Sequence, residues 1–209
     1  MIQTENLTFQ YNNSEHHFCF PDINLQQNES LLVLGKSGIG KTTFLHLLAG
    51  LLKPTKGKVA IDNVLIHELT NNKLDKFRGK NIGLVFQKKH AIQSLSVFEN
   101  LQARLYFCNQ KANTEEINAL LKELDLLEFK NSKINQLSEG QLQRLGIAMS
   151  VVHQPKVILA DEPTSSLDDE NCEIVIQLLQ KQAQKTNANL IVITHDNRIK
   201  SFFQNSITL

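Results

Sequence analysis

Eight residues constrain this chain more than any others: Gly35-Lys36-Ser37-Gly38-Ile39-Gly40-Lys41-Thr42. They follow four apolar residues, Leu31 to Leu34, and precede the helical pattern TTFLHLLAGLL, opened by Thr42 and Thr43. A backbone turning tightly through three glycines can aim successive N–H groups at a chain of phosphates. The start of the helix adds its partial positive charge. Lys41 is placed to reach β- and γ-phosphates, and the Thr42 hydroxyl to face Mg²⁺. The strand before and the helix after are the context this pattern requires, so residues 35–43 are read as the cradle of a nucleoside triphosphate.

The rest of the chain continues the same alternation. Apolar runs at 31–34, 58–61, 82–86, 157–160 and 190–194 have the pattern of strands buried on both faces. Helical patterns at 42–52, 97–107, 113–125, 140–153 and 169–184 lie between them, the third capped by Asn113 with Glu116. The expected fold is α/β: a P-loop NTPase core with a mostly parallel sheet, a small N-terminal antiparallel β region and an inserted α-helical subdomain. At 209 residues the chain fits one domain. Residues 1–88 and 154–209 are expected to form the nucleotide-binding core. Residues 89–153, with helices but no strong strand, form the helical subdomain.

Charge narrows the function classes. Lys and Arg number 22 against 21 Asp and Glu, so there is no electrostatic footprint for nucleic acid. Cys19, Cys108 and Cys172 lie far apart without metal-ligand spacing and are expected to be reduced, buried thiols. No signal-peptide pattern opens the chain, and no apolar run approaches the roughly 20 residues that span a bilayer. The expectation is a cytosolic protein whose membrane role, if it has one, comes through a partner.

A triphosphate cradle needs a carboxylate at the end of a neighbouring strand, and VILADEPTSSLD (157–168) supplies two. Asp161 emerges from four apolar residues, where it can hold Mg²⁺ directly or through water. Glu162 follows and is placed to polarise an attacking water as general base.

With these residues in view the chain resembles the ATP-binding cassette (ABC) ATPases over nearly its whole length. GKSGIGKT resembles the Walker A loop and VILADE the Walker B strand. Gln87 in VFQ resembles the glutamine that touches Mg²⁺ and the lytic water. LSEGQ, Leu137 to Gln141, resembles the signature loop, usually LSGGQ. Asp168 ends a segment like the D-loop, His195 in VITHD is like the switch histidine, and Tyr11 stands where the family stacks an aromatic ring on adenine. The signature loop about 20 residues before the Walker B strand, then the D-loop and the histidine, makes the resemblance specific.

The resemblance implies two head-to-tail subunits enclosing two ATP molecules. Each signature loop covers the nucleotide on its partner, with Ser138 and Gly140 donating to the γ-phosphate. It further implies Glu162, His195, Gln87 and Lys41 as catalytic groups. Thr42, Gln87 and Asp161 would lie around the metal, and Glu139, Gln141 and Asp168 at the nucleotide. Glu139 departs from the family's glycine. It brings a negative charge near a polyanion, and is expected to turn outward and to stand where the backbone needs φ > 0. GIAMSVV departs from the usual AIARAL, with Met149 in place of an arginine.

The phrasing is closest to cassettes of the lipoprotein-release, macrolide-export and cell-division group. There the cassette is a separate chain working with a membrane permease, which implies the cytoplasmic face of a bacterial inner membrane and a second ATPase subunit, identical by expectation. A soluble ABC ATPase acting on nucleic acid or ribosomes is the competing class, and it usually carries inserted modules absent here. Ile92, Leu95, Val97 and Phe98 offer either helix packing or a groove for a short permease helix. His16, His17, His46, His67, His90 and His153 form no ligand constellation and are read as surface or packing residues.

Overall fold

The computed structural model describes residues 1–12, 16–86, 90–165 and 167–209. Two sheets organise it. The first is antiparallel and built on β1 (Ile2–Gln10), which pairs with β2 (His17–Cys19), β3 (Asn24–Leu25) and β5 (Lys56–Ile61); β5 continues into β6 (Val64–Leu65). The turn between β5 and β6 holds Asp62 and Asn63 at φ of +48° and +63°. These short polar residues tolerate the left-handed region that a two-residue hairpin demands.

The second sheet is wholly parallel. Its order is β10 (Asn205–Thr208), β4 (Ser30–Leu34), β9 (Asn189–Thr194), β8 (Val157–Asp161), β7 (Ile82–Val85). Both faces are covered, which is why its strands read as unbroken apolar runs. On one face Leu31, Val33, Leu159, Ile191 and Ile193 meet α1 (Lys41–Leu48), whose Phe44, Leu45, Leu47 and Leu48 are wholly buried. The antiparallel sheet closes over α1 with Ile2, Leu7, Val59 and Ile61. On the other face Leu32, Leu34, Ile158, Ala160, Leu190 and Val192 meet a layer of helices: α3 (Val97–Phe107), α4 (Thr114–Glu123), α5 (Glu139–Val151) and α6 (Asp169–Thr186). Asn113 caps α4 by accepting from the Glu115 amide at 3.0 Å, and its side chain reaches Glu116 at 3.1 Å.

Three expectations need correction. Residues 58–61 do not join the parallel sheet: β5 pairs antiparallel with β1, and its Lys56, Gly57 and Lys58 stay exposed, with Lys58 ion-paired to Glu5 at 2.8 Å. Cys19 is exposed on β2, not buried, while Cys108 is half-buried and Cys172 buried. Val97 is wholly buried, and of Ile92, Leu95, Val97 and Phe98 Ile92 alone is exposed, at 43%. Two elements were also unforeseen, α2 (Asn71–Asn81) and the edge strand β10. Among the described residues no helix is long and apolar enough to cross a membrane.

The register places the site. Leu34 pairs with Thr194, and Asp161 with Ile193. The carboxyl ends of β4, β8 and β9 therefore lie side by side, and the segments that leave them converge, as ligand-binding segments do in open α/β sheets.

Candidate active site

Gly38 and Gly40 hold φ of +82° and +105°. A Cβ at Gly40 would sit 2.5 Å from Phe18 Cδ1, so only glycine lets the loop pass beneath that ring. Gly40 is also the N-cap of α1 and places no side chain on the helix amides, which leaves them for an anion. Lys41 is 6% exposed, and its Nζ donates to the carbonyls of Gly35 at 2.9 Å and Lys36 at 3.1 Å. The same atom lies 3.5 Å from Glu162 Oε1. Lys36, Ser37 and Ile39 are exposed along the loop. A cavity of about 620 Å³ opens between this loop, His195 and Leu209.

Tyr11 stands beside the loop. Its hydroxyl is 3.0 Å from Thr43 Oγ1, and its ring meets Phe9 edge to face at 4.7 Å. The ring is 43% exposed and borders a cavity of about 400 Å³ lined also by Leu52, Lys53 and Pro54.

Thr42 Oγ1 donates to Asp161 Oδ2 at 3.0 Å. The other oxygen, Oδ1, is buried without a partner. Burial pushes the Asp161 carboxyl up; the Thr42 hydrogen bond opposes this, and the charge of Glu162 adds to it. A desolvated carboxylate with one free oxygen beside a hydroxyl suits a hard divalent cation, which takes oxygen ligands and keeps several waters. Among the described residues no group of three or more His, Cys, Asp or Glu could hold a metal, so a cation at Asp161 would need ligands besides these side chains.

Glu162 leaves the strand in a left-handed conformation, φ +48°, rare for a residue with a Cβ. Its amide still donates to Ile193 at 2.8 Å, extending the ladder by one bond. The turn carries the carboxylate across to β9. There Oε2 accepts from Thr194 Oγ1 at 2.7 Å, and Oε1 lies 2.9 Å from His195 Nδ1. Burial pushes this carboxyl up, but the hydrogen bonds from His195 and Thr194, with the nearby Lys41, outweigh it and hold it below its ordinary value. Lys41, Asp161, Glu162 and His195 thus form one cluster.

The signature-like turn is built separately. Ser138 caps α5: its Oγ accepts from the Gln141 amide at 3.3 Å, and Gln141 Oε1 accepts from the Ser138 amide at 2.8 Å. Glu139 is the first residue of the helix, with no positive φ, so the expectation of a left-handed backbone there is corrected: an N-cap turn needs none. Glu139 is exposed, and a Cβ at Gly140 would meet nothing within 4 Å. Gln143, which sequence reasoning passed over, ties this helix to the segment just past β8 by donating to the Pro163 carbonyl at 2.9 Å.

Asp168 caps α6 through the Asn171 amide at 2.9 Å. Gln87 lies outside the described residues. Thr194, Thr164 and Asp196 were also missed. Thr164 donates to Asp196 at 3.1 Å, and Arg198 holds the Asp196 carboxyl down at about 2. The one signal for Thr194 was a threonine closing an otherwise apolar run.

Comparison with known proteins identifies the family. The profile of the family described as "ABC transporter" matches residues 21–165. An uncharacterised ABC transporter ATP-binding protein of Methanocaldococcus jannaschii, MJ0796, is 37% identical over 218 residues, covering 100% of this chain and 93% of its own. The lipoprotein-releasing system ATP-binding protein LolD of Buchnera aphidicola is 34% identical, with 94% and 88% covered. Among solved structures, MJ0796 in a dimeric post-hydrolysis state bound to ADP and Pi superposes with a TM-score of 0.88 at 35% identity, over 100% of this chain and 94% of that one. The cassette cbiO1 of Clostridium perfringens, described as part of the ABC transporter complex cbiONQ, gives 0.89 at 27% identity, over 99% and 83%. A chain with this sheet order, this phosphate loop and these relatives belongs to the ABC transporter family, as one of its ATP-binding, ATP-hydrolysing cassettes.

Proposed function

We propose that two such subunits close head to tail around two ATP molecules and that hydrolysis reopens them, driving a separate membrane permease. The observation that carries this reading is the division of the site. The cluster of Lys41, Asp161, Glu162 and His195 is assembled at the sheet edge, whereas Ser138 and Gly140 begin a helix whose capping bonds stay within their own turn. A helix start with a serine cap, exposed at the surface, is half of an anion site.

In this reading Tyr11 stacks on the adenine, and the amides and side chains of residues 35–43 hold the phosphates. Thr42 and Asp161, with Gln87, hold Mg²⁺, which when bound neutralises charge on the phosphate oxygens. Glu162 takes the proton of the attacking water, since its carboxyl is held ionised. Lys41 and His195 then offset charge developing on the γ-phosphoryl group, aided by Ser138 and Gly140 of the partner. Residues 1–88 with 154–209 act as the core, and 89–153 as the helical subdomain that meets the permease near Gln87 and Ile92. That contact would hold the protein at the cytoplasmic face of the inner membrane. A net charge of +1 favours no nucleic-acid role.

Glu162→Gln tests the scheme. The variant should bind ATP, lose turnover and elute as an ATP-dependent dimer in size exclusion. Parental turnover by this variant would remove Glu162 as the base, and a monomer at saturating ATP would remove the closed pair.

A further inference from the structure

Outside the groups that would touch nucleotide, one side chain bonds to two segments that leave the site. Arg198 lies in the 3₁₀ turn Asn197–Phe202, just past His195. Its Nε donates to both oxygens of Asp196 at 3.0 and 3.1 Å, and its Nη2 to Asp196 Oδ2 at 2.8 Å. Nη2 also reaches the Leu167 carbonyl at 3.3 Å, and Nη1 pairs with Asp169. Leu167 and Asp169 bracket Asp168, the N-cap of α6. On the other side, the Asp196 amide donates to Thr194 Oγ1 at 3.0 Å, and that hydroxyl donates to Glu162 at 2.7 Å. Hydrogen bonds therefore run unbroken from the Glu162 carboxylate to residues 167–169, and Arg198 is the last link.

What this link supplies is geometry. Asp169 is 89% exposed, so its pairing with Arg198 is screened by solvent and adds little to stability. A guanidinium is a rigid planar fork that fixes several acceptors relative to one another, which a flexible ammonium does not. We propose that Arg198 is a positioning residue, yoking the segment that carries His195 to the turn that carries Asp168. Displacement of residues 167–169 then moves Asp196, and with it Thr194, His195 and the carboxylate they hold. The inference rests on the two-subunit reading above, in which the partner closes over the nucleotide beside which Asp168 is expected to lie. Contact from the partner at that turn reaches the reacting groups of the same subunit through Arg198, and the two sites act cooperatively.

The test is Arg198→Lys, with Asp169→Asn as a milder cut. Lysine keeps a cation beside Asp196, so the melting temperature should stay at the parental value. Turnover should fall about tenfold, the size of one coupling lost from a hydrogen-bonded network. The Hill coefficient for ATP should drop toward 1, and ATP affinity of the separate subunit should hold. Asp169→Asn should lower the Hill coefficient by less. Arg198→Lys with parental turnover and cooperativity overturns the proposal; so does a loss of turnover that only tracks a loss of melting temperature. Glu162→Gln run alongside separates the two readings. If it fails to form the ATP-dependent dimer, the paired scheme falls; if it dimerises while Arg198→Lys behaves as the parent, only the role of Arg198 falls.

Discussion

Consider replacing Gly140 by alanine. Gly140 is the second residue of α5, and a Cβ built on it meets nothing within 4 Å of the subunit. Its φ is not positive, so alanine fits the backbone without strain. Within a helix, glycine is less stable than alanine by about 0.5–1 kcal/mol. For a chain of this size about 1 kcal/mol moves the melting temperature by about 2–4 °C, so the variant should melt about 1–4 °C higher. Activity should move the other way. In the paired arrangement this turn closes on the partner's triphosphate, and the new methyl group stands where the phosphate must approach. Losing one preorganised donor of that kind costs about 10²–10³ in kcat. The assay is a thermal melt beside steady-state ATPase, with dimerisation followed in the Glu162→Gln background. A helix start with no further role predicts the gain in stability and no loss of turnover. Higher melting with parental turnover would therefore refute the half-site argument, and lower melting would refute the helical placement of residue 140.

Two more predictions follow from single contacts. Gly40→Ala would force a Cβ to 2.5 Å from Phe18 and into a φ of +105°, a strain of about 1–3 kcal/mol; denaturant unfolding should show that loss together with weaker nucleotide binding, and Phe18→Ala should restore only part of it, because the backbone cost remains. His153 is buried, and burial with the charge of Arg104 holds it down at about 3 against an ordinary 6.5. Between those values the unfolded chain binds a proton that the folded chain refuses, so stability is full above pH 6.5 and declines as pH falls toward 3, by up to about 1.4 kcal/mol per pH unit. His153→Gln should flatten that slope; denaturation midpoints across the window that keep the parental slope would assign it to other groups.

What the sequence disclosed and what it hid follow one division. The phosphate loop, Asp161 and the α5 start are local patterns, each resting on a few consecutive residues, so they could be read without coordinates. β5 was misplaced because Val59, Ala60 and Ile61 look like a buried strand, while the Lys–Gly–Lys before them is exposed throughout. α2 was missed because it has only Leu74 and Phe77 to pack, both partly buried, amid polar residues. β10 is an edge strand formed by pairing with β4, with little pattern of its own. Thr164, Thr194 and Arg198 gain meaning only when β8, β9 and the start of α6 are set side by side, and no window of consecutive residues contains that.

The adjacent acids Asp161 and Glu162 show how such juxtaposition assigns roles. In a regular strand two successive side chains point to opposite faces, and neither would reach both the phosphate loop and β9. The left-handed φ of Glu162 breaks the alternation, at a cost on the order of 1 kcal/mol. One carboxylate stays against Thr42, buried and pushed up; the other crosses to Thr194 and His195 and is held low. Environments that drive neighbouring titratable groups apart are how a site separates duties between like residues. Here the separation gives Asp161, desolvated and short of a partner, the chemistry of a cation ligand. Under the function proposed above, the lowered carboxyl of Glu162, held by Thr194 and His195, suits it to serve as the base for water.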